Sequence, residues 1–488
     1  MGGLPKASGD FFMPKNAPDK NAPRPCFLHV WLPCCPLMAW LLTLILWALR
    51  CVPVAADEIA IAPLVASAKR AGLRVFAGTH LTLATDRAVR EGDGIEHLSQ
   101  LFDQAFTEWC AHFNLDPAKH AQWQAFGCLV VDRERFRTAG LLPAVVPDFA
   151  NGFCDRNRFW MMDQSSPAYR RHLLLHEGVH AFTLTLRSLD TPPWYTEGIA
   201  EYLATHRIVA GRSDAAQSPS AANGAFESTP IPFVAADVEQ LGRIETIRAL
   251  HVANRAPALA DIFNTPSADH HNLGAYAGSW AAVAMLARHP DYARAFAILE
   301  RGPLDQTFTT RLTGSADWDA ARAARDFAAF TAEIDYGYDF SRSAIDWSPG
   351  LPLTQQRAMA VAGNRGWQNS GWRAAEGARV SFVATGRYRI GSLPRDVLPA
   401  AVLESEAEGI SLRWYRGRPL GKLLIAQWFQ PTTGDTAQPG FRVVAAGASG
   451  SFIALADSTL YCKVNEPPGE LADNAGGLRV ELVPTPEP

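Results

Sequence analysis

The sequence is short of charge, and the charge it has is not concentrated in any segment. Charged residues make up 19% of the 488 residues, and 45 Lys and Arg against 49 Asp and Glu leave a net charge of −4. The basic residues are scattered, so the chain lacks the basic stripe that binds a phosphate backbone. Nucleic acid is therefore excluded as an expected partner.

Cysteine is scarce outside the first 56 residues. Four of the eight cysteines lie in that leader, and the other four are Cys110, Cys128, Cys154 and Cys462. None has the paired spacing of a cysteine zinc site. In an exported chain these four would permit disulfides, but the sequence does not fix a pairing. No internal repeat is visible either, which argues against a repeat architecture.

The first 56 residues differ from the rest of the chain. Basic residues precede an apolar run at 37–49, and small residues at Val54 and Ala56 match the positions that a signal peptidase reads. We expect residues 1–56 to be a signal peptide that is cleaved before Asp57, with an uncleaved membrane anchor as the alternative. The protein would then be exported, periplasmic or extracellular, and would contact a membrane only if the leader is kept.

The length of 488 residues is enough for two or three domains. Between residues 57 and 345 strand patterns give way to helical ones, which predicts a small mixed sheet followed by a mainly helical domain. Over residues 346–488 Gly, Pro and alternating strands dominate, which predicts an all-β sandwich of the jelly-roll kind. The expected fold class is therefore α+β.

The stretch "HEGVH" carries the first chemical signal. It places His176 and His180 four residues apart, with Glu177 directly after the first. On a helix a step of four residues is about 400°, so both imidazoles project from one face and can share a metal. Glu177 lies about 100° round, where a carboxylate can take a proton from water beside the metal. A buried helix with two hydrogen-bonded histidines is the other interpretation.

A third ligand is offered by "PPWYTEGIAEY", on a helix that begins near Pro193. Glu197 in this stretch can complete a His, His, Glu zinc set whose fourth position stays open, which is the catalytic form of such a site. Glu201 lies one turn later on the same face and would orient an imidazole without binding the metal. The residues by themselves thus predict a zinc site for hydrolysis.

The combination of HExxH with W-x-x-E-G-x-A-E-Y resembles the gluzincin metallopeptidases, especially the peptidase MA-like branch of exported bacterial proteins. The resemblance spans roughly residues 75 to 340 and implies a zincin-like catalytic domain. It implies that His176, His180 and Glu197 bind Zn²⁺ and that Glu177 is the general base. Glu201 matches the acidic residue that hydrogen-bonds a ligand histidine.

Two further stretches extend this resemblance. "YAGSWAAVAML" is similar to the helix that opens with an oxyanion-stabilising tyrosine, which implies that role for Tyr276. The aminopeptidase branch carries an acidic residue on the strand before the site helix, and "FANGFCDRNRFWM" lacks it. The resemblance therefore implies a peptidase that acts on a peptide or protein without being an aminopeptidase. The strand can still pair with an extended substrate.

The stretch "NEPPGELADN" carries a second signal, near the C-terminus. Glu466, Glu470, Asp473 and Asn474 are hard oxygen ligands of the kind that Ca²⁺ takes from a loop, while a solvent-exposed acidic turn is the other interpretation. The stretch resembles the last loop of small bacterial galactose-binding lectins, which are jelly rolls that hold sugar through calcium. That resemblance implies Ca²⁺ on these four residues and a glycan as a further partner.

Two functions are consistent with these signals. The first is an exported zinc metallopeptidase with an appended β-sandwich. The alternative is a non-catalytic exported glycan- or protein-binding protein with a structural zinc site. Glu177 favours the first, because a structural zinc site fills its fourth position with protein and needs no carboxylate beside the metal. The sequence leaves open which substrate is cleaved.

Overall fold

The computed structural model describes residues 58–88, 90, 93–209, 225–238, 242–266, 272–392, 402–431 and 437–485. The leader predicted for residues 1–56, and the cleavage predicted before Asp57, lie outside these residues. Over the described ranges the chain is mixed α and β, as predicted. No helix within those ranges is long and apolar enough to cross a membrane.

The N-terminal part contains a five-stranded mixed sheet. Its strands are β1 (Arg74–Ala77), β2 (Leu81–Thr85), β3 (Ala125–Val130), β4 (Gly152–Asp155) and β5 (Arg158–Met162). Their spatial order is β1-β2-β3-β5-β4, with β2, β3 and β5 parallel and the outer pairs antiparallel. β2 and β3 are buried along their whole length because both faces of the sheet are covered. β4 is left at the edge.

Helices dominate from residue 98 to residue 343. The α-helices in the described ranges are α1 (Ile61–Arg70), α2 (Leu98–His112), α3 (Arg133–Thr138), α4 (Pro167–Leu186), α5 (Pro193–Ala204), α6 (Arg243–Val252), α7 (Leu259–Phe263), α8 (Leu273–Arg288), α9 (Ala293–Arg301), α10 (Phe308–Thr313), α11 (Ala320–Glu333) and α12 (Phe340–Ser343). α4 contacts the sheet at β3, β4 and β5, and it also packs against α2 and α5. α5 packs in turn against α8.

Two glycines determine how closely the central helices approach their neighbours. A Cβ atom on Gly178 of α4 would lie 2.4 Å from a ring carbon of Phe102 in α2. A Cβ atom on Gly198 of α5 would lie 2.5 Å from the backbone oxygen of Ser279 in α8. Both distances are well below van der Waals contact, so a larger residue would force the helices apart. Each glycine directly follows a glutamate predicted for the zinc site, and the close packing fixes the backbone there.

Strands replace helices after residue 343, close to the change predicted near residue 345. A hairpin of β6 (His206–Val209) and β7 (Ala225–Ser228) precedes them. The later strands are β8 (Leu351–Pro352), β9 (Arg357–Ala362), β10 (Gln368–Ala374), β11 (Arg379–Thr385), β12 (Tyr388–Ser392), β13 (Val402–Ser405), β14 (Ile410–Tyr415), β15 (Arg418–Leu420), β16 (Leu423–Phe429), β17 (Gly440–Ala446), β18 (Ser449–Ile453), β19 (Ser458–Val464) and β20 (Ala475–Thr485).

These later strands form two main sheets. One has the order β17-β16-β19-β10-β8, and the other has the order β13-β12-β20-β11-β18, with β9 also paired to β20. Residues of both sheets, among them Phe382, Ile425, Leu460 and Val480, belong to one hydrophobic cluster. β14 and β15 form a separate hairpin. The two sheets thus share a core, and the separate sandwich domain of the jelly-roll kind stays a prediction.

The helices and the β-sheets are joined by a further hydrophobic cluster, which we call the shared cluster. Its members include Ala329 of α11, Ile345 of the connecting segment, Trp367 just before β10, and Leu424 and Tyr461 of the sheets. The described residues accordingly fall in one compact unit, Val54–Pro488. Separating the helices from the strands would expose these apolar side chains to water.

The four cysteines outside the leader are free thiols. Cys110, Cys128 and Cys462 are buried, and Cys154 is half-buried. Burial raises the pKa of Cys110 to about 11 and that of Cys462 to about 12. Both groups are therefore unreactive at neutral pH, which fits a packing role.

Candidate metal centre

α4 presents three histidines along one face. The helix begins at Pro167, whose fixed φ suits the first turn, and the Ser166 hydroxyl caps it by accepting a hydrogen bond from the backbone N–H of Tyr169 at 3.2 Å. His172, His176 and His180 then follow at intervals of four residues. Because four residues make slightly more than one helical turn, the three imidazoles lie one above the other.

α5 brings Glu197 to the two histidines predicted as ligands. Its Oε2 atom lies 3.4 Å from Nε2 of His176 and 3.6 Å from Nε2 of His180. The two Nε2 atoms are 3.1 Å apart. The three predicted zinc ligands therefore converge on one point, between helices that are separate in sequence.

The spacing of these three atoms fits a bound metal ion. Zinc with bonds of about 2.0–2.1 Å in a tetrahedral site would place its ligand atoms roughly 3.3–3.4 Å apart, close to the spacings observed here. Oε2 of Glu197 is buried, and no hydrogen bond of acceptable geometry reaches it. A buried carboxylate oxygen without a donor is costly, and a cation would satisfy it. These His and Glu groups can thus bind a metal ion.

The carboxylates and imidazoles of this site shift one another's pKa. Burial opposes a charge on His176, but the adjacent carboxylates of Glu197 and Glu201 outweigh it and raise its pKa to about 10. A metal ion bound here would displace the proton from that imidazole. Burial also opposes the charge on Glu197, yet His180 and His176 hold the pKa of this carboxyl well below its usual range. Glu197 is therefore anionic, as a metal ligand must be.

Glu177 lies beside the three converging groups and is not one of them. Its side chain is buried, and burial raises the pKa of its carboxyl, although the charges of His176 and His180 act in the opposite direction. A carboxylate beside a metal ion can accept a proton from metal-bound water. Its position therefore suits a proton acceptor.

Glu201 is the centre of a second set of contacts. Its oxygens lie 3.2 Å from Nδ1 of His176 and 3.2 Å from Nε2 of His172. The guanidinium of Arg243 donates to the same carboxylate from Nε at 2.9 Å and from a terminal nitrogen at 2.7 Å. Glu201 thus touches the ring nitrogen of His176 that faces away from Glu197, as the predicted orienting role requires.

Sequence reasoning missed two residues of this set. His172 had a visible signal, since "HLLLHEGVH" places a third histidine one turn before His176. Arg243 had none, because it lies 42 residues from Glu201 on another helix. His172, His176 and Glu201 also lie close enough together to hold a metal. The Arg243 guanidinium already neutralises the one carboxylate there, so a second cation would be repelled.

Tyr276 lies in the first turns of α8, next to the same site. Its ring centre is 6.1 Å from that of His176, and the guanidinium of Arg243 lies 5.7 Å from the ring centre. Burial and the nearby carboxylates, Glu197 first among them, raise the pKa of the phenol above its usual value. Tyr276 therefore keeps its proton and can donate a hydrogen bond.

A cleft of about 520 Å³ opens beside these side chains. Its walls include His176, Glu177, Glu201 and Tyr276 together with apolar groups of the segment before β4, of α4 and of α8. The apolar and aromatic lining residues include Phe149, Phe153, Leu173 and Leu273. A cleft of this size with a few convergent polar groups is typical of a ligand site.

The predicted calcium residues line a different cavity, of about 320 Å³, in the β part. Glu466, Glu470 and Asp473 contribute to its wall. The side chain of Glu470 is engaged in a two-pronged ion pair with Arg413. Burial raises the pKa of Glu466 to about 8.

Asn474 lies beside this cavity, within hydrogen-bonding distance of Glu466. Its amide nitrogen donates to Glu466 and to the backbone oxygen of Gly363, while its Oδ1 atom is buried without a partner. Glu466, Asp473 and the Asn474 oxygen are therefore the side-chain oxygens left for a cation, and the calcium assignment stays a prediction.

Another acidic cluster, around Asp326, has its hydrogen bonds satisfied within the protein. His289, Asp291 and Asp326 lie close enough together to hold a metal. However, the Asp326 carboxylate accepts hydrogen bonds from Tyr292 at 2.5 Å and from Trp347 at 2.7 Å. These donors occupy the buried oxygens that a metal would need, so the cluster is a structural network.

Comparisons with known proteins give only distant likenesses. No protein-family model and no curated protein matches the chain. Among solved structures, the EclA N-terminal domain, a PllA-like lectin, has 18% identity and a TM-score of 0.18, covering 27% of this chain and 98% of that one. IMPa from Pseudomonas aeruginosa, solved with an O-glycopeptide, has 14% identity and a TM-score of 0.16. That match covers 51% of this chain and 24% of IMPa. At these scores neither likeness establishes a shared fold.

Proposed function

We propose that the protein is a zinc-dependent peptidase of the gluzincin type that hydrolyses bonds within a peptide or protein and is not an aminopeptidase. The observation that carries this proposal is the convergence of His176, His180 and Glu197 beside Glu177, which is not part of their set. A cleft large enough for a peptide segment is lined by His176 and Glu177.

The side chains divide the chemistry among them. Zinc at this site would supply a Lewis acid that lowers the pKa of water and polarises the scissile carbonyl. Glu177 accepts the proton of the attacking water and passes it to the nitrogen of the leaving amine. Tyr276 donates a hydrogen bond to the carbonyl oxygen as that oxygen gains negative charge. Glu201 keeps the imidazole of His176 in place.

The proposal includes where the enzyme acts and what it meets. We propose that it is exported, to the periplasm or the medium, after cleavage before Asp57, and that it meets a membrane only if the leader is retained. The substrate would lie along β4, whose outer edge has no strand partner among the described residues. Nucleic acid is not proposed as a partner, because the chain has no excess of basic residues.

The β part would add a second function, the binding of calcium and sugar. We propose that Glu466, Asp473 and Asn474 hold Ca²⁺ and that the adjoining cavity takes a sugar. The support is the buried Oδ1 atom of Asn474, which has no hydrogen-bond donor and would gain one partner from a cation. This function would hold the peptidase close to glycan without altering the hydrolytic site.

The decisive experiment combines metal analysis with the substitution Glu177→Gln. The purified parent should contain one zinc per chain and cleave a mixed peptide library. Glu177→Gln should keep the zinc and lose roughly 10²–10⁴-fold in kcat, because the proton acceptor is gone while the ligands remain. The matched control is Glu134→Gln, since Glu134 is 75% exposed on α3 and should leave activity unchanged.

Two outcomes would contradict the proposal. Full activity in Glu177→Gln would exclude this carboxylate as the base. Stoichiometric zinc in a parent that cleaves no peptide would instead favour the non-catalytic binding protein with a structural zinc site.

A further inference from the structure

Gly152, the first residue of β4, lies directly against the carboxylate of Glu177. A Cβ atom built on Gly152 would lie 2.1 Å from Oε1, 2.6 Å from Cδ and 2.8 Å from Cγ of Glu177. Non-bonded carbon atoms prefer about 3.5–4.0 Å, so no other residue fits while Glu177 stays where it is. The φ angle of Gly152 is not in the left-handed region. Space, and not backbone conformation, is therefore what requires a glycine.

We infer that Gly152 is a positioning residue for Glu177, because the room left by its missing side chain is the place in which the carboxylate sits. Glu177 has a flexible side chain on a rigid helix. The backbone of β4 forms a wall beside the carboxylate end of that side chain. The wall confines the carboxylate to the neighbourhood of His176 and His180. The catalytic consequence of this inference rests on the proposed function, whereas the contact itself does not.

The contact between Gly152 and Glu177 also links the proposed base to β4, the strand along which the substrate would lie. β4 is an edge strand, paired only with β5 among the described residues. A peptide that adds to its free edge is therefore held by the same backbone segment that confines Glu177. Substrate position and base position would then be fixed against each other by one strand, which is what near-attack geometry requires.

The first test measures hydrolysis in two backgrounds. Gly152→Ala should lower kcat about 100-fold, the loss associated with a displacement of about 1 Å, with zinc content and KM nearly unchanged. In a Glu177→Asp background the carboxylate is withdrawn by one methylene, so the added methyl group should cost at most a few-fold. An equal loss in both backgrounds would overturn the inference. Gly274→Ala is the control, because its Cβ would meet nothing closer than 3.3 Å.

The second test measures stability and needs no activity. With Glu177 present, Gly152→Ala should lower the Tm of the full chain by a few degrees, because the methyl group overpacks the site. With Glu177→Ala the same substitution should not lower the Tm, since the space is then vacant. A similar fall in both backgrounds, or failure of the Gly152→Ala/Glu177→Ala chain to fold, would overturn the inference. An inactive parent would refute the peptidase proposal alone, because this thermal cycle does not depend on hydrolysis.

Discussion

Neutralising Glu333 is expected to destabilise the whole described chain. Lys463 of β19 is 5% exposed, and its ammonium group contacts the Glu333 carboxylate and lies 4.8 Å from the ring centre of Trp367. Burial opposes ionisation of Glu333, but the charges of Lys463 and Arg416 outweigh it and lower the pKa of that carboxyl. Glu333→Gln keeps the shape of the side chain and leaves a buried ammonium group without its counter-charge.

The magnitude follows from the burial of the pair. Removing one partner of a buried ion pair costs about 3–5 kcal/mol. The lower figure applies, because the Glu333 side chain is 20% exposed and Lys463 keeps its cation–π contact. With an unfolding entropy of about 2.1 cal/mol/K per residue, the unit Val54–Pro488 has roughly 0.9 kcal/mol/K. A loss of about 3 kcal/mol therefore lowers the Tm by about 3 °C.

Calorimetry of the full-length chain provides the assay. Glu333→Gln and Lys463→Met should each lower the Tm, whereas the double variant should recover most of the loss, because neither charge is then buried alone. Glu404→Gln is the control, since its pair with Arg387 is exposed and should shift the Tm by less than about 1 °C. A parent-like Tm for Glu333→Gln, or a double variant that loses the sum of both singles, would refute the reasoning.

Three further predictions concern the two candidate sites. His172→Phe should weaken zinc binding about 10-fold, because Glu201 loses one of the contacts that hold it against His176. Competition with a chelating dye measures the affinity, and an unchanged value would show that His172 does not help to position Glu201. Tyr276→Phe should lower kcat by about 10²-fold with KM and zinc content retained, and an unaltered kcat would exclude it as the oxyanion donor. Asp473→Ala should abolish any calcium-dependent rise in Tm of the full chain, and a rise that persists would place the ion elsewhere.

The three residues proposed to bind zinc could be singled out in the sequence because their signals are local. His176 and His180 share a face by helix periodicity alone, and the prolines before α5 mark where the helix that carries Glu197 begins. The spacing therefore fixes which residue types can meet. The spacing does not determine whether α5 packs against α4 so that Glu197 reaches His176 and His180. That packing depends on close contacts such as the one between Gly198 and α8.

Two residues beside this site, Arg243 and Gly152, could not be predicted, because tertiary packing alone brings them there. Arg243 reaches Glu201 from a helix with no recognisable pattern, and Gly152 matters only because β4 passes beside Glu177. Lys463 shows the same limit in the β part. A lysine within a strand predicts a solvated face, yet α11 places Glu333 over this one and buries it. Burial depends on what packs across a surface, and the local sequence does not contain that information.

The shared cluster between α11 and the sheets has a consequence for ligand binding. Ala329 of α11 packs with Trp367 and Tyr461, so unfolding of either the helices or the strands would expose all three side chains. The helices and strands should therefore unfold in one transition. A ligand that binds the folded chain at 100 times its Kd adds about 2.7 kcal/mol to the stability of that whole unit. If the chain is the proposed peptidase, calcium or sugar bound at the cavity lined by Glu466 and Asp473 would therefore raise the temperature at which its activity is lost. None of the residues that line that cavity belongs to the wall of the cleft beside Glu177.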